Sequence, residues 1–342
     1  MMSRGTISKL AACLLNISEA RNAQVVETIA KATVSVKESQ DLASKTHQGS
    51  ELACRSTVLN IFRDYDYNRS VLTIVAQLPV LQHCVYNACV HAYHNIDLSE
   101  QHGGHPRLGA VDLIPIYPLS SDVSLEECGN VANEIAKTLA KDVRGSSFFL
   151  FGTADHPKHR GLVQRRKEVG WFAGKHGVQY DKLQQDLGAN PSTRYGLTGV
   201  GASPYVTNCN VTIATQDVQF GHQIAQCIRA STPGGLPGIQ AMAFAHGGNV
   251  EIACNVESFL KEKSNTGECL ENKSGTIFDH YSYTSAEVIE NKVRTLASER
   301  GVDVIGTALI GFTPDQALNL AIKALRSEQS EYWKTRTDVR MM

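Results

Sequence analysis

The sequence predicts an α/β (α+β) protein with two similar halves, and two observations lead to this class. Short apolar runs alternate with segments of helical period, and in each half two strands follow one another without an intervening helix. Each half is therefore predicted as β-α-β-β-α-β, the ferredoxin-like arrangement. Because 342 residues exceed one average domain, we place subdomains at residues 1–190 and 191–330, followed by a tail at 331–342.

In the first half, strands are predicted at residues 9–17, 57–62, 70–76, 108–119 and 146–152. Helices are predicted from about Ala23, over 78–96 and after Ser124. Ser18 is expected to cap the first helix, and Ser124 with Glu127 forms a capping-box pattern at the third. A polar stretch at 37–51 separates the first helix from the second strand.

In the second half, the predicted order is a strand at 205–214, a helix at 216–230, two strands within 239–256, a helix at 284–301, a strand at 302–311 and a last helix at 313–325. The paired strands flank His246-Gly-Gly-Asn, which is a hairpin signal. Gly301 is expected to end the helix before it. A single doubly wound sheet is the weaker alternative, because adjacent strand pairs recur.

Composition limits the partners. A net charge of −1 gives no reason to expect nucleic acid or anionic membrane as a partner, although the segment 158–167 is locally basic. The nine cysteines form no C-x-x-C pair, which is typical of reduced thiols and predicts a cytoplasmic protein. No apolar run approaches the ~18 residues of a membrane span.

Two histidines in a glycine-rich stretch, His102 and His105, could form part of a metal site or transfer protons. The H-x-x-H spacing suggests half of a metal site, but neither H-E-x-x-H nor C-x-x-C supports it, so no metal is predicted. His105 suits proton transfer better, because a loop histidine with a pKa near ~6.5 exchanges protons at neutral pH. A purely structural histidine is the remaining alternative.

Two further stretches carry polar groups that could bind a ligand. The glycines of 188–203 permit close approach of a ligand, and the spacing matches neither a P-loop nor a dinucleotide fingerprint. A loop around an anionic small molecule and a plain linker are both compatible with it. Arg69, beside Asn68 at the start of a strand, could hold a carboxylate or form an ordinary surface ion pair.

Taken together, these stretches resemble the formiminotransferase domain of formiminotransferase-cyclodeaminase. The resemblance extends from about residue 8 to 326, and its most specific part is the His-Pro-Arg stretch. The segments that carry it are LLNISEARN (14–22), NRSVLTIV (68–75), GGHPRLGAVDLIPIYPL (103–119), DLGANPSTRYGLTGVGA (186–202), VEIACNV (250–256) and VIGTALIGFTPDQAL (304–318). The chain stops at 342, so the cyclodeaminase domain is not expected and transfer alone is predicted.

The resemblance implies two α/β subdomains with a folate tunnel between them, a homodimer, and tetrahydrofolate as co-substrate. The implied reaction moves a formimino or formyl group between an N-substituted glutamate and tetrahydrofolate, with His105 as acid–base catalyst. The implied substrate-binding residues are Asn68, Arg69, Arg107, Arg166, Gly188, Ala189, Asn190, Pro191, Ser192, Thr193, Arg194, Tyr195 and Gly196.

The sequence departs from the family pattern at three places. Gly104 stands where the family often has an acidic residue, and 37–51 is an extra polar stretch. The aspartate that the resemblance expects to orient His105 aligns with Phe62, and Asp64 and Asp66 lie two and four residues later. Either the strand is shifted and one of them orients His105, with Asp64 as the predicted residue, or the orienting carboxylate is missing. A folate-binding protein without turnover is therefore the alternative function, and a dimeric scaffold is a third.

Overall fold

The computed structural model describes residues 7–34, 56–171, 180–260, 274–277 and 281–335. The chain divides into two compact units, residues 1–203 together with 318–342, and residues 204–317. The subdomain boundary predicted between 190 and 191 lies shortly before this division. The polar stretch 37–51 lies outside the described residues.

The first unit is built on a seven-stranded mixed sheet with the strand order β2-β3-β1-β4-β7-β5-β6. Its strands are β1 (Leu10–Ile17), β2 (Ser56–Asp64), β3 (Arg69–Gln77), β4 (Val111–Pro118), β5 (Ser147–Gly152), β6 (Leu187–Gly188) and β7 (Thr198–Ala202). β1 pairs antiparallel with β3 and with β4, whereas β7 lies parallel to β4 and β5. The central strand β1 is buried along its whole length, as its apolar sequence LAACLLNI predicts.

Three helices pack their apolar sides on this sheet. They are α1 (Ala23–Val34), α2 (Leu78–Asn95) and α3 (Leu125–Asp142), and a short helix α4 (Leu162–Glu168) follows β5. Alternate residues of β1, beginning with Ala11 and Cys13, share one hydrophobic core with Ile29 of α1 and Ile135 of α3. This core packs behind the end of the sheet that carries Asn16 and the start of β3.

The second unit contains a four-stranded antiparallel sheet with the order β14-β8-β10-β9. Its elements are β8 (Val206–Ile213), α5 (Val218–Ile228), β9 (Ile239–His246), β10 (Asn249–Glu257), α6 (Ala286–Ser298) and β14 (Val304–Ile310). A small sheet of β11 (Phe259–Leu260), β12 (Ser274–Ile277) and β13 (Tyr281–Thr284) is inserted before α6. Helix α7 (Pro314–Arg326) follows β14, and from residue 318 onward it is grouped with the first unit. The first six elements of the first unit and the main elements of the second thus run in the same order.

Several local predictions are confirmed. The His246 hairpin joins β9 to β10 through Gly247 and Gly248, both with positive φ. The capping box of Ser124 and Glu127 opens α3. The expectation for Ser18 is wrong: its hydroxyl donates to the Gly109 carbonyl, 2.7 Å away, and Asn22 accepts the Val25 N–H at the start of α1. The segment 188–203, for which the sequence suggests a ligand-binding loop or a linker, also contains strand β7 at its end.

The capping box gives a stability prediction. Ser124→Ala removes the hydroxyl that accepts the Glu127 N–H at 3.1 Å, so we expect the free energy of unfolding to fall by about 1 kcal/mol. Urea denaturation followed by circular dichroism measures this loss. Ser121→Ala, at an exposed serine of the same turn, is the control, and an equal loss there would contradict the role of the cap.

Candidate active site

The candidate site lies where three adjacent strands end together. Because β3, β1 and β4 are neighbours in the sheet, the start of β3 (Arg69), the end of β1 (Asn16) and the start of β4 (Asp112) meet at one edge. The loop 101–110 that precedes β4 carries His105 to the same edge. Ser18 fixes this loop, because its N–H donates to the Ala110 carbonyl at 2.9 Å.

His105 is half-buried, with its ring enclosed by aromatic neighbours. The ring centroids of Tyr67 and Trp171 lie 5.3 Å and 5.9 Å from that of His105, both edge-on. Nδ1 lies 2.7 Å from the Pro106 carbonyl oxygen, which can only accept a hydrogen bond. From these partners we assign the proton to Nδ1 and the lone pair to Nε2.

Arg69 contacts this histidine directly. Its Nη1 is 2.8 Å from Nδ1 and 3.2 Å from Nε2, and since Nδ1 already donates to Pro106, Nε2 is the atom that can accept from Arg69. The pKa of His105 lies well below its usual value, because burial and then the positive charge of Arg69 disfavour the imidazolium, and the charges of Arg166 and Arg107 act the same way. His105 is therefore neutral at pH 7 and holds a lone pair that can accept a proton.

Arg69 is itself held by two partners on neighbouring strands. Its Nη2 donates to Asn16 Oδ1 at 2.8 Å and lies 3.1 Å from Asp112 Oδ2. The side chain of Asp112 is 2% exposed, and Oδ1 accepts the Leu108 N–H at 2.9 Å. The β1–β4 register passes from Asn16 opposite Leu113 to Ile17 opposite Val111, so Asp112 sits in a bulge. A bulge redirects a side chain, which here brings the carboxylate onto Arg69.

Arg166 is a second cation near this carboxylate. It is buried on the short helix α4, and its guanidinium lies 4.6 Å from the centroid of the Trp171 ring. Burial lowers the pKa of Arg166 to about 10, the charge of Asp112 raises it, and the charge of Arg69 lowers it further. Its neighbours Arg160 and Arg165 pair instead with the acidic groups of Asp155, Glu168 and Asp186.

Arg107 anchors the turn between β2 and β3. Its Nη1 and Nη2 donate to the carbonyls of Asn68 and Tyr67 at 2.9 Å and 2.8 Å. Burial lowers the pKa of Arg107, with Asp112 opposing and Arg69 adding to the shift. Gly103 makes this packing possible, because a Cβ there would lie 2.1 Å from both Arg107 Nη2 and the Tyr67 oxygen.

The second glycine-rich segment is hydrogen-bonded to the loop that carries His105. The Ala110 N–H donates to the Tyr195 carbonyl at 2.9 Å, and the Leu197 N–H donates to the Leu108 carbonyl at 2.8 Å. Within the segment, Gly188 pairs with Ser147 of β5, and Ser192 accepts the Gly196 N–H. Ala189, Asn190, Thr193 and Arg194 are exposed, while Pro191 is buried.

The structure places the other predicted residues as scaffold around this edge. Asn68, with φ +47° and 2% exposure, accepts the Ala20 N–H and donates to Gln101 Oε1 at 2.6 Å. Asp64 accepts the Tyr67 N–H at 2.8 Å, and Phe62 lies opposite Val71 in the β2–β3 pair. The role predicted for Asp64 in orienting His105 stays a prediction. His102 is exposed, and the described residues hold no group of three or more potential metal ligands.

Three members of the site are not among the residues predicted from the sequence: Asn16, Asp112 and Trp171. The sequence contains an indication of Asn16 and Asp112, because each is a polar residue inside an otherwise apolar strand, where burial requires a partner. Trp171 gave no signal, since it approaches His105 only through the position of α4.

Comparison with known proteins agrees with the resemblance. The sequence model "Formiminotransferase domain, N-terminal subdomain" matches residues 10–203. A glutamate formimidoyltransferase of Streptococcus pyogenes serotype M1 is 26% identical over 96% of this chain and 97% of the relative. Another from Thermoplasma acidophilum is 26% identical over 90% and 89%, respectively. A formiminotransferase cyclodeaminase-like protein of Arabidopsis thaliana is 30% identical over 72% of this chain and 82% of the relative.

These matches define an enzyme of the transferase class. The chain belongs to the formiminotransferase-domain family. The matched residues include the whole edge described above, from β1 through β7. No described helix is long and apolar enough to cross a membrane.

Two adjacent glycines provide a matched test of the site loop. Gly103→Ala places a Cβ against the backbone oxygen of Tyr67, so we expect a loss of about 1–3 kcal/mol in the free energy of unfolding. Gly104→Ala is the control, because the atoms nearest its Cβ would lie 3.8 Å away. Thermal and urea denaturation measure both variants, and equal stability of the two would contradict the described packing.

Proposed function

We propose that this protein transfers a formimino or formyl group between an N-substituted glutamate and tetrahydrofolate, with His105 as acid–base catalyst. The observation that carries the proposal is the contact between His105 and Arg69, within a cluster in which guanidinium groups outnumber carboxylates. Family membership supports the class of reaction, and the cluster offers a proton acceptor and positive charges that could bind the substrate carboxylates.

The charges of the cluster suit a dicarboxylate. Three guanidinium groups, those of Arg69, Arg107 and Arg166, act on one buried carboxylate, Asp112. Such an excess of positive charge in a partly buried site favours an anionic ligand. Within the described residues, Nε of Arg69 is buried without a hydrogen-bond partner, and a substrate carboxylate is a suitable acceptor for it.

Each step of the transfer has a residue that can perform it. N5 of tetrahydrofolate attacks the carbon of the formimino or formyl group, and a tetrahedral intermediate forms. Nε2 of His105 takes the proton from N5 and returns it to the glutamate nitrogen as the bond between that nitrogen and the carbon breaks. Glutamate leaves with the proton, and the one-carbon group remains on N5. Holding both substrates in place supplies much of the acceleration.

Arg69 can bind substrate without leaving His105. Its Nη1 lies 3.2 Å from Nε2 of the ring, and its Nη2 is held by Asn16 and Asp112. Nε is the position left for a substrate carboxylate. Arg69 would therefore serve as carboxylate ligand while it keeps the base in place. Arg166 would hold a second carboxylate, and the segment 188–196 would line the folate.

Larger features of the proposal rest on the resemblance and on local observations. In each unit, the four strands of the β-α-β-β-α-β order lie side by side in the same arrangement: β2-β3-β1-β4 in the first sheet and β9-β10-β8-β14 in the second. This common strand order supports two ferredoxin-like subdomains. The tunnel stays a prediction.

A homodimer is supported by two large apolar side chains on the edge strand β14, Ile305 and Leu309, which are 57% and 38% exposed. Cys209 and Cys254 lie directly opposite each other as free thiols, which supports the cytoplasm.

The alternative is a folate-binding protein without turnover. It is supported by Phe62, which stands where the resemblance expects the carboxylate that orients the histidine. Such a protein would bind reduced folate and stabilise it without consuming a donor.

A transfer assay separates the two functions. Purified protein with tetrahydrofolate and either N-formiminoglutamate or N-formylglutamate is expected to form the N5-substituted folate. His105→Gln should reduce kcat by about 10²–10⁴-fold, because it removes proton transfer. Folate binding, measured by calorimetry, should stay within about twofold. Wild-type protein that raises its melting temperature with folate but forms no product from either donor would establish the binder instead.

The pH dependence follows from the depressed pKa of His105. The neutral ring is the active form, and it persists below the usual histidine value of ~6.5 because the protein disfavours its protonation. We therefore expect kcat/KM to hold constant through pH 6.5 and to fall only at lower pH. Circular dichroism over the same range distinguishes this fall in kcat/KM from acid unfolding. A fall in kcat/KM that begins at or above pH 6.5 would contradict the assignment of His105 as a neutral base.

A further inference from the structure

We propose that Asp112 is a positioning residue: through Arg69 it orients His105, in the place of the carboxylate that the sequence suggests at Asp64. The inference rests on the proposed function for its catalytic consequence. Its structural part, a three-residue relay from Asp112 to Arg69 to His105, can be tested without turnover.

The relay consists of an ion pair between Asp112 and Arg69 and a contact between Arg69 and the His105 ring. Asp112 Oδ2 lies 3.1 Å from Arg69 Nη2, and the other terminal nitrogen of the same guanidinium lies 2.8–3.2 Å from the two ring nitrogens of His105. The planar guanidinium transmits orientation, because fixing one terminal nitrogen fixes the other. Asn16 holds Nη2 from β1, so Arg69 is clamped between two strands.

Burial makes this carboxylate effective. The side chains of Asp112 and Arg69 are 2% and 13% exposed, so their attraction is weakly screened by solvent. Oδ1 of Asp112 is occupied by the Leu108 N–H, and this bond directs Oδ2 toward the guanidinium. The bulge in β4 therefore gives Asp112 one orientation, and that orientation meets Arg69.

Asparagine is an informative replacement at this position. In Asp112→Asn, the amide oxygen would keep the hydrogen bond from Leu108, so the amide NH₂ would face Arg69. Two donors then oppose each other, and the guanidinium is released from its place beside His105. The change preserves the size and shape of the side chain, which limits the loss of packing.

The direction of the His105 pKa separates positioning from a plain charge effect. If Asp112 acted only through its charge, its neutralisation would leave the surroundings of His105 more positive and lower the pKa further. If it positions Arg69, release of the guanidinium removes a cause of the depression, and the pKa rises toward ~6.5. The two roles therefore predict opposite signs.

NMR titration of the imidazole signals in the free, full-length protein is the experiment, with the His105 signal assigned by its loss in His105→Gln. We expect a higher His105 pKa in Asp112→Asn and in Arg69→Gln, with no further rise in the double variant. Asp155→Asn is the matched control, because Asp155 is another buried carboxylate paired with an arginine, Arg160. It should leave the His105 pKa unchanged.

Kinetics then test the consequence for catalysis. Asp112→Asn should lower kcat by about 10–100-fold, as expected of a misplaced base. A fall or no change in the His105 pKa, or a larger rise in Asp64→Asn than in Asp112→Asn, overturns the relay. If Asp112→Asn does not fold, Asp112→Glu decides: it keeps the charge but moves the carboxylate by one methylene, so it should displace Arg69 and change the His105 pKa, and an unchanged pKa there overturns the relay. A wild type that transfers nothing while the pKa rises would reject the proposed function and leave the relay standing.

Discussion

The ion pair between Arg69 and Asp112 joins two strands, β3 and β4, across the central strand between them. Neither residue could be buried alone, because an unpaired charge of this kind costs several kcal/mol of desolvation. Asn16 of the central strand completes the clamp. The bulge of β4, the start of β3 and the end of β1 must therefore meet in one arrangement, and the loop carrying His105 is built on that arrangement.

At the same edge, several polar side chains hold the backbone and neighbouring side chains in place. Arg107 and Asn68 use their polar atoms on the turn before β3 and on its neighbours. The site is thus preorganised by side chains that lie beside the reacting groups. Preorganisation of this kind fixes the geometry of a base before substrate arrives, so little reorganisation is needed during reaction.

Much of the fold follows from the sequence, and the reasons are local. The apolar run of β1, the Gly247–Gly248 hairpin and the capping box of α3 each depend on neighbouring residues only. His105 was also found from its glycine-rich loop. Asp112 was not, because a bulge depends on the register between strands, which local pattern does not determine. Ser18 shows the same limit, since its partner Gly109 is 91 residues away.

The position of Trp171 has a practical consequence. The protein has two tryptophans, and the other, Trp333, is packed in the hydrophobic core near the C-terminus. Trp171 lies edge-on to His105 and beneath the guanidinium of Arg166, so its indole is bordered by two groups whose charge or position responds to a ligand. The intrinsic tryptophan emission of the protein therefore contains one component that reports on the site, and a Trp333→Phe variant isolates it without any attached dye.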